Sequence, residues 1–215
     1  MEQKINKGIF ITFEGPEGSG KSTQSKRIYK QLLKDGYDVI YTSEPGSTCL
    51  GKEIRKILLK KNVKFNKYSE LFLFEADRAE HIQEIILPNL QKNKIILCDR
   101  FNTATFAYQG YGLGMDLKII QKIDSIITKH VIPDITILLD IDIKTGLKRA
   151  NKTSKADNIE KRTILFHEKV RKGYLSIANK NPKHFEILSA LEDKKTIYNS
   201  IEKIVYNVIR KNTRT

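Results

Sequence analysis

The sequence predicts an α/β fold, a three-layer αβα sandwich in which helices surround a five-stranded parallel sheet. Two observations support this prediction. Short apolar runs alternate along the chain with longer segments whose apolar residues recur at helical spacing, which is typical of parallel strands joined by helices. A glycine-rich segment at residues 15–23 lies between an apolar run and a helical pattern. The chain has 215 residues, enough for one full core, so we expect a single domain over 1–215.

Five apolar runs define the expected strands, and helical patterns lie between and after them. The strands are residues 8–14, 37–42, 94–98, 135–141 and 184–188. The helices are residues 21–35, 51–61, 68–87, 116–130, 144–150, 160–179 and 194–211. Gly36 stands at a helix C-cap position, and Pro88 is expected to end the third helix. Ligands bind at the carboxyl ends of parallel strands, so the residues after the first three strands should face one crevice.

Residues 15–23, GPEGSGKST, fit the phosphate-binding loop pattern G-x-x-x-x-G-K-[ST]. Glycines let successive backbone N–H groups point at an anion, and the helix behind them adds its dipole. Lys21 brings a positive charge to the β- and γ-phosphates, and Ser22 offers a hydroxyl to Mg²⁺. The predicted nucleotide-binding residues are therefore Gly15, Pro16, Glu17, Gly18, Ser19, Gly20, Lys21, Ser22 and Thr23.

Charge and composition limit the function classes. Lys and Arg number 39 against 25 Asp and Glu, a net charge of +14, which suits nucleic acid or a small anionic substrate. The lysines are spread through the chain, so we regard nucleic acid as a disfavoured partner. The sequence contains no run of ~18 uncharged apolar residues, so we expect no membrane span, and Met1–Lys7 lacks a signal-peptide core. Cys49 and Cys98 show no metal-ligand spacing, so we expect free thiols and a cytoplasmic location.

Asp99 and Arg100 follow the third predicted strand, Ile95–Cys98. A carboxylate at this point could bind Mg²⁺ or its water together with Ser22. Only Asp99 lies near enough in sequence to neutralise Arg100, so the guanidinium could clamp a phosphate. The alternative is a structural salt bridge at the end of a strand.

Two further groups of residues could recognise a nucleotide. Phe74, Arg78 and His81 share one helix face, and a ring beside a guanidinium suits a phosphorylated aromatic ligand. The alternatives are core packing for Phe74, a solvated Arg78, and a surface or satisfied core histidine at position 81. Tyr108 and Gln109 offer a ring, a hydroxyl and an amide to a base, although such a pair is more often structural.

The polar, basic stretch at residues 148–155 interrupts a helical pattern. Mobile basic segments can close over phosphates and neutralise developing charge, but a solvated loop is the commoner outcome. The sequence shows no nucleophile arrangement of Ser, His and Asp. Phosphoryl transfer requires none, because positioning and charge stabilisation carry most of the catalysis.

Together these motifs resemble the thymidylate kinase family in its bacterial branch, nearly end to end. The matching segments are FEGPEGSGKST at 13–23, EPGST at 44–48, LFEADRAEH at 73–81, DRF at 99–101, AYQG at 107–110, PDIT at 133–136, LD at 139–140, DNIE at 157–160, FH at 166–167 and VRKGY at 170–174. The resemblance implies a P-loop fold and ATP-dependent phosphorylation of dTMP to dTDP in dTTP biosynthesis, with Mg²⁺ at Ser22 and Asp99. It also implies a homodimer that uses the long helices as its interface.

The resemblance further implies a role for each acceptor residue. Glu17 would contact the deoxyribose 3′-hydroxyl, Phe74 would stack on thymine, and Arg78 would contact the base and the 5′-phosphate side. Arg100 would hold the acceptor or transferring phosphate, with Arg55 nearby. The base and sugar pocket would be lined by Thr105, Tyr108 and Gln109.

The lid departs from the family pattern. Gly18 stands where the eukaryotic branch has an arginine, which the bacterial branch supplies from a lid, here at about 149–158. Expected lid arginines are replaced by Asn151, Thr153 and Asn158. We therefore predict that Arg149, and next Lys152, contacts the transferring phosphate. The predicted catalytic residues are Lys21, Arg100 and Arg149.

Three other functions compete with this prediction. A kinase for another nucleoside monophosphate or a deoxynucleoside would share the loop, although the Phe74, Arg78, Tyr108 and Gln109 matches disfavour it. A GTP-dependent switch would need an N-K-x-D motif, which the sequence lacks. A basic nucleic-acid-binding ATPase would show salt-dependent DNA binding without phosphorylation of dTMP.

Overall fold

A computed structural model describes residues 5–60, 63–153, 159 and 162–213. Within them, parallel strands form one five-stranded sheet in the order β2-β3-β1-β4-β5. The strands are β1 (Ile9–Glu14), β2 (Val39–Ser43), β3 (Ile95–Asp99), β4 (Ile135–Asp140) and β5 (Phe185–Ser189). The predicted α/β sandwich and its five-stranded parallel sheet are therefore confirmed.

Helices cover both faces of this sheet. They are α1 (Lys21–Lys34), α2 (Cys49–Leu59), α3 (Lys67–His81), α4 (Leu87–Gln91), α5 (Asn102–Thr105), α6 (Leu117–Thr128), α7 (Ile143–Thr153), α8 (Ile164–Lys180) and α9 (Lys194–Thr213). Two π-helical segments interrupt this series. Ile82–Ile86 joins α3 to α4, and Phe106–Gly112 continues α5. Among the described helices, none has the length and apolar character that a membrane span requires.

The prediction that Pro88 ends the long helix is wrong. The π-helical segment carries the chain into α4, so the helical course continues to Gln91. Pro88 falls in the first positions of α4, directly after the π-helical segment, where the regular hydrogen-bond pattern already changes.

The sequence did not predict the helix that runs from Asn102 to Gly112. Threonines and glycines in this stretch lower its helix propensity and hide its apolar period. Packing against α8 explains why it forms, since a Cβ added to Gly112 would lie 2.6 Å from the Phe166 ring. Tertiary contact therefore overrides local propensity here, and the segment carries Tyr108 and Gln109 to the site.

The central strand β1 fixes the position of the site. All six of its residues are buried. Ile11 faces the helices α1 and α9, and Phe10 packs on the opposite face in a T-shaped contact with Phe101 at 5.0 Å. Each fully buried side chain of this size stabilises the fold by ~1.5–3 kcal/mol. The carboxyl end of β1, from which the phosphate loop departs, is therefore held from both faces.

Candidate active site

The carboxyl ends of β1, β2 and β3 open into one crevice of about 1200 Å³. As predicted, the phosphate loop, Glu44–Gly46 and Asp99–Arg100 line it together. One half lies among α2, α3 and α5, which we call the acceptor half. The donor half lies between α7 and residues 190–194, which follow β5. The phosphate loop borders both halves.

Lys21 is buried at the start of α1 and holds the phosphate loop closed. Its Nζ donates to the carbonyl oxygens of Gly15 and Pro16, each at 2.8 Å. Burial lowers the pKa of Lys21 to about 8, with help from the nearby Arg100 charge and against Glu17. No side chain caps the N-terminus of α1 within the described residues, so its first N–H groups face the loop and suit an anion.

Two glycines allow the loop to lie directly against α7. A Cβ on Gly18 would come within 1.9 Å of the Gly146 carbonyl oxygen, and Gly18 has a φ of +68°. A Cβ on Gly146 would in turn lie 2.4 Å from the Glu17 carbonyl oxygen. Sequence reasoning missed Gly146, because a glycine within a helix signals only lower propensity. The contact explains why Gly18 carries no arginine here.

Ser22 and Asp99 lie together, as predicted for a metal pair. The Ser22 hydroxyl donates to Asp99 Oδ2, which also accepts from Tyr41 Oη at 3.5 Å. Asp99 Oδ1 is buried and has no partner among the described residues. Mg²⁺ prefers oxygen ligands and commonly takes only one or two from protein, the rest being phosphates and water. The hydroxyl and the unpartnered carboxylate oxygen therefore fit Mg²⁺.

Arg100 pairs with Glu17, and not with Asp99, the only acidic residue near it in sequence. Its Nη2 donates to Glu17 Oε1 at 2.7 Å, and its Nη1 donates to Tyr174 Oη at 3.1 Å. The Tyr108 ring lies 5.2 Å from the guanidinium carbon, and the Tyr108 hydroxyl also donates to Glu17 Oε1 at 2.7 Å. Partners 83 residues apart left no local signal in the sequence. The arginine thus sits in a built cage at the mouth of the loop.

Burial and charge act in opposite directions on Glu17 and Glu14. Burial favours the protonated form of Glu17, but Arg100 and Lys21 together lower its pKa to about 2. Burial raises the pKa of Glu14 to about 7, although Arg100 opposes this. Glu14 Oε1 accepts from the Phe101 N–H at 2.8 Å, and Oε2 accepts from Tyr174 Oη at 3.0 Å. The only sequence signal was a carboxylate at the end of an apolar strand.

Arg78 lies at the base of the acceptor half and is 1% exposed, so the solvated alternative is wrong. Its Nε donates to Glu44 Oε2 at 2.9 Å, and its Nη1 donates to Glu75 Oε1 at 2.5 Å. Its Nη2 donates to the Phe101 carbonyl at 3.3 Å. Burial opposes the charge, but the two carboxylates raise the pKa of Arg78 above its ordinary value. The guanidinium is therefore permanently charged and fixed in direction.

His81 is a satisfied core histidine, one of the two outcomes we expected. Its Nδ1 lies 2.8 Å from Glu44 Oε1, and its Nε2 lies 2.6 Å from the Thr42 hydroxyl. Asp77 Oδ1 accepts from the Gly46 N–H at 2.9 Å, which fixes the turn after β2. These contacts hold the carboxylate of Glu44 that orients Arg78.

The other predicted acceptor residues also line the crevice. Phe74 is half-buried on α3, and Thr105 ends α5. Arg55 donates from Nη1 to the Pro45 carbonyl at 2.8 Å. Gln109 lines the same half, but its Nε2 donates to Glu70 Oε1 at 2.8 Å. Its amide is thus directed by Glu70, a buried carboxylate that sequence reasoning missed.

Arg149 is exposed on α7 and borders the donor half. Its Nη1 donates to the Ala190 carbonyl at 2.8 Å, beside the residues that follow β5. Asn151 is exposed and Thr153 is the last residue of α7, so the helix extends further into the predicted lid than expected. Lys152 belongs to the same helix, and Asn158 lies outside the described residues. The role of Arg149 stays a prediction.

Comparison with known proteins identifies the family. A family model for thymidylate kinase matches residues 13–201. The thymidylate kinase of Halothermothrix orenii is 42% identical over 198 residues, covering 91% of this chain and 95% of the relative. That of Finegoldia magna is 41% identical over 191 residues, covering 88% and 94%. A solved thymidylate kinase from Ehrlichia chaffeensis superimposes with a TM-score of 0.76 at 34% identity, covering 93% of this chain and 99% of that one. The chain therefore belongs to the thymidylate kinase family, and its activity is the phosphorylation of dTMP to dTDP.

Proposed function

We propose that the crevice transfers the γ-phosphoryl group of ATP to dTMP, with ATP in the donor half and dTMP in the acceptor half. The observation that carries this proposal is the meeting of a phosphate loop with the Arg100 cage and the Phe74–Arg78 surface in one crevice. Phosphoryl transfer requires two phosphate-bearing ligands in line, and this geometry offers one site on each side of the loop.

On the donor side, the loop amides and Lys21 hold the β- and γ-phosphates. Lys21 Nζ moves from the loop carbonyls to the phosphates, where its charge stabilises the transition state. Arg149 extends from α7 over the donor half and adds charge beside the transferring group. Ser22 and Asp99 are the residues that would hold Mg²⁺, which when bound neutralises and orients the phosphates.

On the acceptor side, Phe74 stacks on the thymine ring, and the residues Thr105, Tyr108 and Gln109 surround the base and sugar. Arg78 presents its fixed guanidinium to the base and the 5′-phosphate side. Glu17 carries a negative charge at neutral pH and accepts from the sugar 3′-hydroxyl. Arg100, with Arg55 nearby, holds the acceptor phosphate. That phosphate is itself the nucleophile and is largely ionised near pH 7, so no general base is needed.

A nucleotide panel tests the acceptor assignment. The purified protein is assayed for ADP release with ATP and Mg²⁺ and with dTMP, dUMP, dCMP, AMP or thymidine in turn. We expect dTMP to give the highest kcat/KM. Preference for dCMP, AMP or the free nucleoside would overturn the placing of thymine against Phe74. Salt-dependent DNA binding with no phosphorylation of dTMP would instead favour a nucleic-acid-binding ATPase.

We also propose that the chain acts as a single domain with a short lid at about 149–158, and that it pairs as a homodimer. Helix α3 packs against both α2 and α6, and all three present apolar side chains to solvent. Exposed apolar side chains on neighbouring helices suit a self-complementary interface. These side chains are Leu50, Ile57, Tyr68, Phe72, Ile119 and Ile126. The free thiols of Cys49 and Cys98 support a cytoplasmic location.

A further inference from the structure

The backbone at Arg100 adopts a conformation that residues with a side chain rarely take. Its φ is +71°, in the left-handed region. Two residues of β1 hold the chain there. The Arg100 N–H donates to the Phe13 carbonyl at 3.0 Å, and the following N–H, of Phe101, donates to Glu14 Oε1 at 2.8 Å. The Glu14 carboxylate thus fixes the peptide group on the far side of the turn.

The second oxygen of the same carboxylate reaches the other end of Arg100. Tyr174 Oη donates to Glu14 Oε2 at 3.0 Å and accepts from Arg100 Nη1 at 3.1 Å. Glu14 therefore holds the arginine at both its backbone and its guanidinium. The arrangement joins β1, the turn after β3 and α8 through one buried carboxylate.

Glu14 and Tyr174 are fully buried and stand behind the residues that line the crevice. Neither can touch a substrate, so any effect on the reaction passes through a neighbour. The charged and titratable groups that face Glu14 are the Arg100 guanidinium, the Tyr174 hydroxyl and the Lys21 ammonium. A purely structural role for Glu14 would be to offset the charge of the buried Lys21. Geometry favours Arg100, because the hydrogen bonds of Glu14 lead to it from two directions.

We propose that Glu14 and Tyr174 are positioning residues that fix the Arg100 guanidinium where the acceptor phosphate binds. The proposal rests on the proposed function in one respect, the assignment of Arg100 to that phosphate. It predicts a selective defect: losing the positioning weakens contacts to the phosphate of dTMP and leaves contacts to its nucleoside intact.

The test compares dTMP with thymidine, which lacks the phosphate. Calorimetric titration of Glu14→Gln and Tyr174→Phe should show affinity for dTMP lowered about tenfold, the size of a lost charge-assisted hydrogen bond. Affinity for thymidine and for a non-hydrolysable ATP analogue should be unchanged. A misplaced guanidinium should also lower kcat about 10²-fold. Both changes act along one path, so the double variant should be no worse than the poorer single variant.

The matched control is Tyr111→Phe, which also removes one tyrosine hydroxyl, here one that donates to Ser176 Oγ of α8 at 3.0 Å. It should keep the dTMP and thymidine affinities of the parent. If Glu14→Gln does not fold, Tyr174→Phe decides alone.

Three results would overturn the positioning of Arg100. They are equal losses for dTMP and thymidine, unchanged dTMP affinity in both variants, and additive effects in the double variant. Arg100→Gln separates this failure from failure of the proposed function. If Arg100→Gln keeps the parent's ratio of dTMP affinity to thymidine affinity, then the assignment of Arg100 to the phosphate is itself wrong. If Arg100→Gln shows the selective loss and the other variants do not, only the positioning proposal fails.

Discussion

Lys21, Glu17 and Arg100 show how the site holds charge before any phosphate reaches it. Lys21 is buried enough for its pKa to fall to about 8, yet its ammonium is satisfied by two loop carbonyls. Glu17 stays ionised because Arg100 and Lys21 outweigh its burial. Fixed charges and dipoles of this kind need little reorganisation when phosphate charge develops.

Lys21→Ala should lower kcat by ~10²–10³, the usual cost of removing one electrostatic contact from a water-excluded site. Steady-state assay of ADP release measures this. Lys30→Ala is the control, because Lys30 is exposed on the same helix and should leave kcat unchanged. Near-parental turnover by Lys21→Ala would contradict the donor-side mechanism.

Glu14→Gln should change how stability depends on pH. The folded protein keeps the Glu14 proton up to a pKa of about 7, whereas an unfolded glutamate releases it near 4.5. The folded state therefore binds more protons in this window, and its stability falls as the pH rises from 4.5 to 7. The variant lacks this loss. The difference in free energy of unfolding, variant minus parent, should therefore increase by about 3 kcal/mol from pH 4.5 to pH 8.

Urea unfolding of both proteins at the two pH values measures the difference, and titrating groups common to both cancel. A constant difference between the two proteins would show that Glu14 does not hold its proton in the folded state.

At this scale, the sequence predicted residues but not their partners. Lys21 and Ser22 were found because a motif fixes their spacing. The pairing of Arg100 with Glu17, and the direction of Gln109 toward Glu70, depend on contacts between distant segments. Spacing along the chain carries no information about them.

Among the elements, α7 and the phosphate loop depend on each other through Gly18 and Gly146. In an ordinary helix, changing glycine to alanine stabilises by ~1 kcal/mol. Here the added Cβ of Gly146→Ala would meet the Glu17 carbonyl oxygen at 2.4 Å, and this nearest atom belongs to the backbone. The packing contact should therefore reverse the sign expected from propensity.

Gly146→Ala should lower the melting temperature by several degrees, since ~1 kcal/mol shifts it by about 2–4 °C in a chain of this size. It should also raise the KM for ATP, because α7 carries Arg149 and borders the loop. Lys144→Ala, at an exposed position of the same helix outside the proposed lid, is the control and should change neither quantity. A stabilised Gly146→Ala protein would contradict the close approach.

The bounds of a helix could be predicted from apolar periodicity where its apolar face is regular, as in α1 and α9. The π-helical segments were not predictable, because a wide turn arises from packing that propensity does not encode. The helix end predicted at Pro88 was wrong for the same reason, because the π-helical segment before it carries the chain on into α4.

For the whole molecule, the proposed homodimer interface is the apolar surface of α2, α3 and α6. Phe72→Asp places a charge on a side chain that is 57% exposed in the monomer. If this surface is the homodimer interface, the charge must be buried unpaired, and the variant should elute as a monomer in size-exclusion chromatography with light scattering. Ile132→Asp, at a residue 66% exposed outside that surface, should stay dimeric. Dimeric Phe72→Asp, or a monomeric parent protein, would contradict the interface.

The fold was predictable at this scale because alternating strand and helix patterns leave few arrangements other than a parallel sheet. The net charge of +14 predicted much less. A net charge alone suits nucleic acid or a small anion. The placing of Lys21, Arg55, Arg78, Arg100 and Arg149 along one crevice is what favours the small anion.

The contact between Gly18 and Gly146 also has an evolutionary consequence. An arginine at position 18 would require α7 to withdraw, since even a Cβ there meets the Gly146 carbonyl oxygen at 1.9 Å. A loop arginine and a closely packed α7 therefore exclude each other. Moving a catalytic arginine between loop and lid is not a single substitution, because the helix has to move as well.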